Sequence, residues 1–356
     1  MATAKGVVVV TGANGGLGSA IVEEITSKPK LSVFHGIYTV RDTTAAPTLT
    51  YALARGTSSH PHDVLSLDLT KLDNVRQVAE GINRPKIKPQ QARVSAGQIP
   101  PIRALILNAG FIEFGRQSWT DDGLDLTFAA NYLGHWLLTL LLLKSIDKKA
   151  GRIIVVGSQS HEWVPNDQRN ARSKAFEEMK YKTFVNDEAG FDAIVKGTWS
   201  SAEEDPSFRS GFRRYGAAKL FLIMMVHELQ RRMDQEATLK NICILGVDPG
   251  AMITGIQRLA PWVIRVLLFK VIYPIIVYIN PNGPIRPPRR SASDVLEAAF
   301  GSGSGLLPKG MYFDGTRPME TSTESRDARK RNLVWKETAK YAHLKAGDTI
   351  LGIDST

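Results

Sequence analysis

Gly6-Val7-Val8-Val9-Val10 runs straight into Thr11-Gly12-Ala13-Asn14-Gly15-Gly16-Leu17-Gly18, and this junction constrains the fold more than any other stretch. Four consecutive valines predict a strand buried on both faces, because a half-exposed strand would alternate apolar and polar residues. The glycines behind it permit a tight turn and a close approach of backbone to a ligand. Leu17 to Ile25 then reads as a helix. Strand, glycine turn and helix N-terminus place free N–H groups and the positive end of a helix dipole at one point, which suits a phosphate. Any glycine-rich connection between a strand and a helix would look similar, so the rest of the chain decides.

Apolar strand-like runs alternate with helical patterns along the whole chain, which predicts an α/β fold built from parallel βαβ units. Strands are predicted at 7–11, 34–40, 64–67, 104–108, 152–157, 242–247 and 311–313, and helices at 16–27, 72–82, 121–146, 215–233, 261–278 and 291–300. Residues 333–341 add an amphipathic helix that docks rather than acts. Helix 121–146 is apolar nearly all round, which predicts burial on more than one side, a subunit interface included. Two stretches break the rhythm. Residues 84–101 are rich in Pro, Lys and Gln and read as a surface loop. Residues 160–214 are polar but carry Trp163, Phe176, Tyr181, Phe184, Phe191 and Trp199, too many aromatics for a disordered linker.

At 356 residues with 43% hydrophobic content the chain is large for one domain and can bury a sizeable core. Its single cysteine, Cys243, rules out a disulfide framework within the chain, fits a reducing cytoplasmic compartment and lies in an apolar run that reads as core. The net charge of +10 is scattered, so it reads as solvated surface rather than a nucleic-acid interface. The first strand begins almost at once, and no secretory leader is expected. Segment 261–279 is the most membrane-like stretch, but Arg265, Lys270 and Pro274 interrupt it, so it could lie on a bilayer rather than span it.

The chemistry concentrates on strand ends and one helix. Tyr215-Gly216-Ala217-Ala218-Lys219 puts a phenol and an ammonium on one helical face. A neighbouring ammonium favours the phenolate, and a Tyr so tuned can exchange a proton with a carbonyl or alcohol oxygen. Ser158 follows the apolar run Ile153 to Gly157, Asn108-Ala109-Gly110 follows another, and Asp68-Leu69-Thr70 a third. Asn131 interrupts an otherwise apolar helix and requires partners there. Each of these matches is common by itself. Their order along the chain is not: Thr11-Gly12-x-x-x-Gly16-x-Gly18, Asp68-Leu69-Thr70, Asn108-Ala109-Gly110, Asn131, Ser158, Tyr215-x-x-x-Lys219 and Pro249-Gly250 together resemble the short-chain dehydrogenase/reductase family over about residues 5–315.

The resemblance implies a Rossmann-like doubly wound parallel sheet of about seven strands flanked by helices, in a single domain with insertions. The domain would span 1–320, with insertions at 84–101 and 160–214 and a substrate lid at 252–290, followed by a helical tail at 321–356. It also implies roles. Asn131, Ser158, Tyr215 and Lys219 would be catalytic: Tyr215 the general acid or base, Lys219 its partner and a ligand of the nicotinamide ribose, Ser158 a guide for the carbonyl, Asn131 the holder of a relay water. Thr11, Gly12, Asn14, Gly16, Leu17, Gly18, Arg41, Asp68, Leu69, Asn108, Ala109, Gly110, Pro249, Gly250 and Thr254 would bind the cofactor along with Tyr215 and Lys219. No metal is expected. Arg41 is the first charged residue after the second strand and suits a 2′-phosphate, so NADP(H) is favoured over NAD(H), although Asp42 follows directly.

The departures from the family carry the substrate question. The stretch between Ser158 and Tyr215 is far longer than in ordinary members, and it reads either as a substrate wall or as a surface excursion. The apolar segment 252–279 reads as a lid for a large apolar substrate, as a peripheral membrane contact, or as a helix packed on its own domain. The expected activity is hydride transfer to or from a bulky apolar ketone or secondary alcohol, in the manner of fungal tailoring reductases of secondary metabolism. The alternatives are a retinol- or steroid-type dehydrogenase on a membrane lipid and a cofactor-binding scaffold without turnover. A homodimer through helices 121–146 and 215–233 is the expected assembly.

Overall fold

A computed structural model describes residues 4–56, 60–84, 100–161, 174–252, 285–301 and 307–352. Eight strands form one sheet in the order β3-β2-β1-β4-β5-β6-β7-β8. They are β1 (Val7–Thr11), β2 (His35–Val40), β3 (His62–Ser66), β4 (Ile102–Leu107), β5 (Arg152–Val156), β6 (Cys243–Asp248), β7 (Tyr312–Asp314) and β8 (Arg317–Met319). The pairings are parallel up to β7, and β8 folds back antiparallel on β7. The expected sheet of about seven strands therefore gains an eighth. Arg317-Pro318-Met319 carries no strand pattern, and proline cannot donate to a ladder, which confines β8 to the sheet edge.

The four valines of β1 are fully buried, and alternate ones enter different cores. Val7 and Val9 join the cluster on one face, and Val8 and Val10 the cluster on the other. Helices α1 (Gly16–Ser27), α2 (Pro47–Arg55) and α7 (Pro288–Phe300) cover the second face through Ile21, Leu49 and Val295. The first face is covered by α3 (Leu72–Asn83), the long helix α4 (Leu126–Ser145), α5 (Glu188–Val195), α6 (Phe208–Gln235) and α8 (Ala328–Tyr341). Helix α2 was not expected from the sequence, although Pro47 at its first turn is a start signal. The helix predicted from 121 begins at Leu126, capped by Asp125, and that predicted from 215 begins two turns earlier, capped by Ser207.

Helix α4 is the one described helix long and apolar enough to cross a membrane, and 89% of that window is buried inside the fold. Its all-round apolarity is satisfied within this chain. The tail helix α8 closes one side: Trp335 packs against Trp136 with ring centroids 5.1 Å apart, and Tyr132 Oη and Thr338 Oγ1 stand 2.9 Å apart. Within this chain α4 is almost wholly buried and α6 largely so. The segments 85–99 and 253–284, including predicted helix 261–278, most of the expected lid and Thr254, lie outside the described residues.

Candidate active site

The chain leaves β1 toward β2 and β3 and later returns on the other side of β1 as β4. Such a reversal opens a crevice outside the carboxyl ends of the two strands. Thr11, Asn108, Ser158 and Pro249 all sit at or just beyond strand ends on this side.

The turn after β1 is shaped by close contacts. Gly12 has φ +67°, and a Cβ there would stand 2.8 Å from the Cα of Ala109. A Cβ on Gly18 would stand 2.2 Å from the Gly12 carbonyl oxygen and 2.9 Å from Asn108 Nδ2. Gly15 caps α1, which has no side-chain cap and no acidic residue in its first turn. The N-terminus of α1 thus lacks a side-chain cap, an arrangement that suits an anionic diphosphate. Gly16 opens that helix, and Leu17 and Gly18 are buried in it.

The polar residues around the turn hold backbone. Thr11 Oγ1 accepts from the N–H groups of Asn108 (2.9 Å) and Ala109 (3.0 Å). Asn108 Nδ2 donates back to the Thr11 carbonyl at 2.8 Å. Asn14 Oδ1 accepts from Thr48 and Leu49 N–H and so caps the unexpected helix α2. Asp68 Oδ1 accepts from the N–H and hydroxyl of Thr70, and Leu69 is buried with its carbonyl against Gly134. Asn108, Asn14 and Asp68 therefore shape the crevice through their side chains.

Asn131 lies in a π-type turn, Ala129–Leu133, inside α4. Its side-chain oxygen accepts from Phe111 N–H, and its amide donates to the carbonyls of Phe111 (3.0 Å) and Thr127 (2.8 Å). Gly110 is glycine because a Cβ would stand 2.6 Å from Asn131 Oδ1. The side chain expected to hold a water is thus engaged at both ends by backbone. A residue the sequence reading missed, His135, connects this turn to the first: its Nδ1 donates to the Asn131 carbonyl (3.2 Å), and Nε2 lies 3.0 Å from Thr11 Oγ1. Burial pushes His135 down to about 3, so it is neutral and Nε2 accepts the Thr11 proton. Its spacing of four from Asn131 on an apolar helix was the available signal.

Tyr215 and Lys219 share a face of α6 as predicted. Lys219 is 3% exposed, donates to the Val156 carbonyl at 2.8 Å and stands 5.4 Å from the centre of the Tyr215 ring. Burial brings Lys219 down to about 8, with Asp248 at the end of β6 acting in the opposite direction. The sequence expects Lys219 to lower the Tyr215 pKa. Instead burial raises the phenol above its usual range, a hydrogen bond with Ser158 acts against this, and Asp248 adds to the rise. Desolvation of a phenolate outweighs the one hydrogen bond that stabilises it. Pro249-Gly250 closes the far wall: Gly250, at φ +75°, donates its N–H to Asp248 Oδ1, and Ser291 Oγ donates to the Pro249 carbonyl.

The described part of the insertion, 174–214, is packed rather than open. Phe176, Phe184, Tyr181 and Trp199 form a cluster with centroids 5.3–5.5 Å apart, and Phe191 stacks on Phe221 of α6. Phe176, Tyr181, Phe184 and Phe191 are core, which corrects the wall reading for these four, and Trp199 packs half-buried against them; Trp163 lies outside the described residues. Arg213 and Arg214, immediately before Tyr215, are 2% exposed. Arg214 Nε pairs with buried Asp125 at 3.1 Å, and Arg213 pairs with Asp205 and lies over the Tyr181 ring at 4.0 Å. The insertion thus anchors the helical turn that carries Tyr215.

A Rossmann-like sheet with Ser, Tyr and Lys gathered at its carboxyl edge defines an oxidoreductase, and the chain belongs to the short-chain dehydrogenases. The short chain dehydrogenase family model matches residues 6–179. The chain is 42% identical over 366 residues to "Short-chain dehydrogenase iccH" of Talaromyces variabilis, covering 98% of each. It is 27% identical over 351 residues to the chloroplastic protochlorophyllide reductase of Pisum sativum, covering 96% of this chain and 78% of that one. A short-chain dehydrogenase/reductase from Brucella melitensis shares the fold with a TM-score of 0.54 at 17% identity, over 88% of this chain and 95% of that one. Members of this family act with a nicotinamide cofactor on a small-molecule substrate.

Proposed function

We propose that the protein is an NADP(H)-dependent oxidoreductase that moves a hydride between nicotinamide and a bulky, largely apolar ketone or secondary alcohol, as a tailoring reductase of secondary metabolism. The observation that carries this is the meeting of Ser158, Tyr215 and buried Lys219 at the carboxyl end of β5, beside an uncapped α1 N-terminus. The cofactor, when bound, supplies the hydride carrier. Ser158 orients the substrate oxygen. Tyr215 gives that oxygen a proton in reduction and removes it in oxidation. Lys219, fixed by the Val156 carbonyl, supports the ribose and the charge that forms on Tyr215. The first N–H groups of α1 take the diphosphate.

NADP(H) rather than NAD(H) is supported by the end of β2. The Asp42 carboxylate accepts the Thr44 N–H (2.8 Å) and hydroxyl (2.6 Å), which leaves exposed Arg41 as the group suited to a 2′-phosphate. A bulky apolar substrate is supported by the composition of segment 252–279 and by the relatives named for protochlorophyllide reduction.

The test is NADPH oxidation against a panel of polycyclic and long-chain ketones. Tyr215→Phe is expected to lose about a hundredfold or more in turnover while NADPH fluorescence still reports binding. A Tyr215→Phe protein that kept full turnover would overturn the mechanism, and one that kept the protein's cellular effect would point to a scaffold.

A further inference from the structure

A hydroxyl offers one proton and two acceptor lone pairs. Both acceptor positions of Ser158 Oγ are filled by the same residue: Ser160 donates its N–H at 3.2 Å and its hydroxyl at 3.0 Å. The Ser158 proton is therefore left for another group, and Ser158 acts on the Tyr215 phenol to lower its pKa.

Ser160 is built into this place. It is 3% exposed on the short turn Gln159–His161. Its carbonyl presses on the residue after the catalytic Tyr: a Cβ on Gly216 would stand 2.5 Å from it. His161 Nδ1 donates to the Ser158 carbonyl at 2.5 Å, and burial holds this imidazole neutral, near 4. One turn thus grips Ser158 by backbone and side chain and bears on the helix of Tyr215.

We propose that Ser160 is a positioning residue that makes Ser158 a one-way donor, its single proton held on Tyr215 until a substrate oxygen takes it. The inference rests on the reading of Tyr215 as the proton-transfer group. A donor fixed on the phenol oxygen stabilises its ionised form, so loosening Ser158 raises the pH at which Tyr215 loses its proton. The titratable groups near Tyr215 are Lys219 on its own helix, Asp248 at the end of β6, Tyr312 on β7 and, beside Tyr312, His161. Substitution of Ser160 leaves all four in place.

The experiment compares unaltered protein, Ser160→Ala, Ser160→Thr and Tyr215→Phe in the NADPH-dependent reduction of menthone across pH. Ser160→Ala is expected to lower kcat about five- to tenfold and to move the alkaline limb up by about half to one pH unit, with KM for NADPH within about twofold. Ser160→Thr, which keeps both donors, restores the profile. Lower thermal stability with an unmoved limb would mean a structural role only and overturn the proposal. If Tyr215→Phe keeps its turnover, the underlying mechanism fails; if it loses turnover while Ser160→Ala moves nothing, this proposal alone fails. Should menthone prove unreactive, tyrosine labelled with carbon-13 at Cζ gives the same decision. The Tyr215 signal, assigned by its loss in Tyr215→Phe, must titrate at higher pH in Ser160→Ala with NADP present, and an unmoved midpoint overturns the proposal. Ser160→Cys carries the test if the Ala variant does not fold.

Discussion

The turn after β1 and the insertion after β5 flank the same site by opposite means. The turn is nearly bare: glycines bring its backbone against Ala109 and Asn108, and α1 starts with no side-chain cap. The described part of the insertion is filled: Phe184 packs on Trp199, and buried Arg213 and Arg214 are paired with Asp205 and Asp125. A ligand site has to leave donors open, whereas an anchor has to satisfy its own groups, because a buried polar group without a partner is costly. The two regions therefore fail differently when altered.

The largest effect on folding is expected in the insertion's anchor. Asp125→Ala strands the guanidinium of Arg214 in the interior and should cost about 3–5 kcal/mol in urea unfolding. A loss under about 1 kcal/mol would show that the pair is not an anchor. The turn should show the reverse. Gly18→Ala forces a Cβ toward the Gly12 carbonyl and is expected to weaken NADPH binding about a hundredfold by fluorescence titration, or about 2.7 kcal/mol. Arg41→Ala should weaken NADPH about tenfold and leave NADH nearly unchanged; equal losses would remove the basis for NADP(H).

The last effect is a dependence of stability on pH. Lys219 titrates near 8 in the fold against an ordinary 10.5, so between these values the unfolded chain binds more protons and stability rises with pH. Lys219→Met, which removes the buried charge, should be more stable than the unaltered protein below pH 8, and the advantage should shrink from pH 8 to 10.5. A constant difference in melting temperature across that range would contradict a buried, charged Lys219.

The motif residues were legible in the sequence because their positions are set locally. A strand buried on both faces needs an unbroken apolar run, and a sharp turn into a helix needs glycine. Tyr and Lys four apart on a helix share a face whatever packs around them. What escaped the reading came from elements distant in sequence. His135 bridges Thr11 and Asn131 across two helical and strand ends, and Tyr312 reaches the site only because Gly157 and Gly246 leave room for its ring. Helix α2 carries a start signal in Pro47, but its cap comes from Asn14, more than thirty residues upstream.

By itself the sequence determined the parallel α/β order, the glycine turn and the set Ser158, Tyr215 and Lys219, because hydrophobic period, backbone freedom and helical spacing are properties of neighbouring residues. Only the tertiary structure decided which polar side chains hold backbone, and in which direction the pKa of Tyr215 moves. Those depend on burial and on partners scores of residues away, and desolvation exists only once the chain has closed around the group.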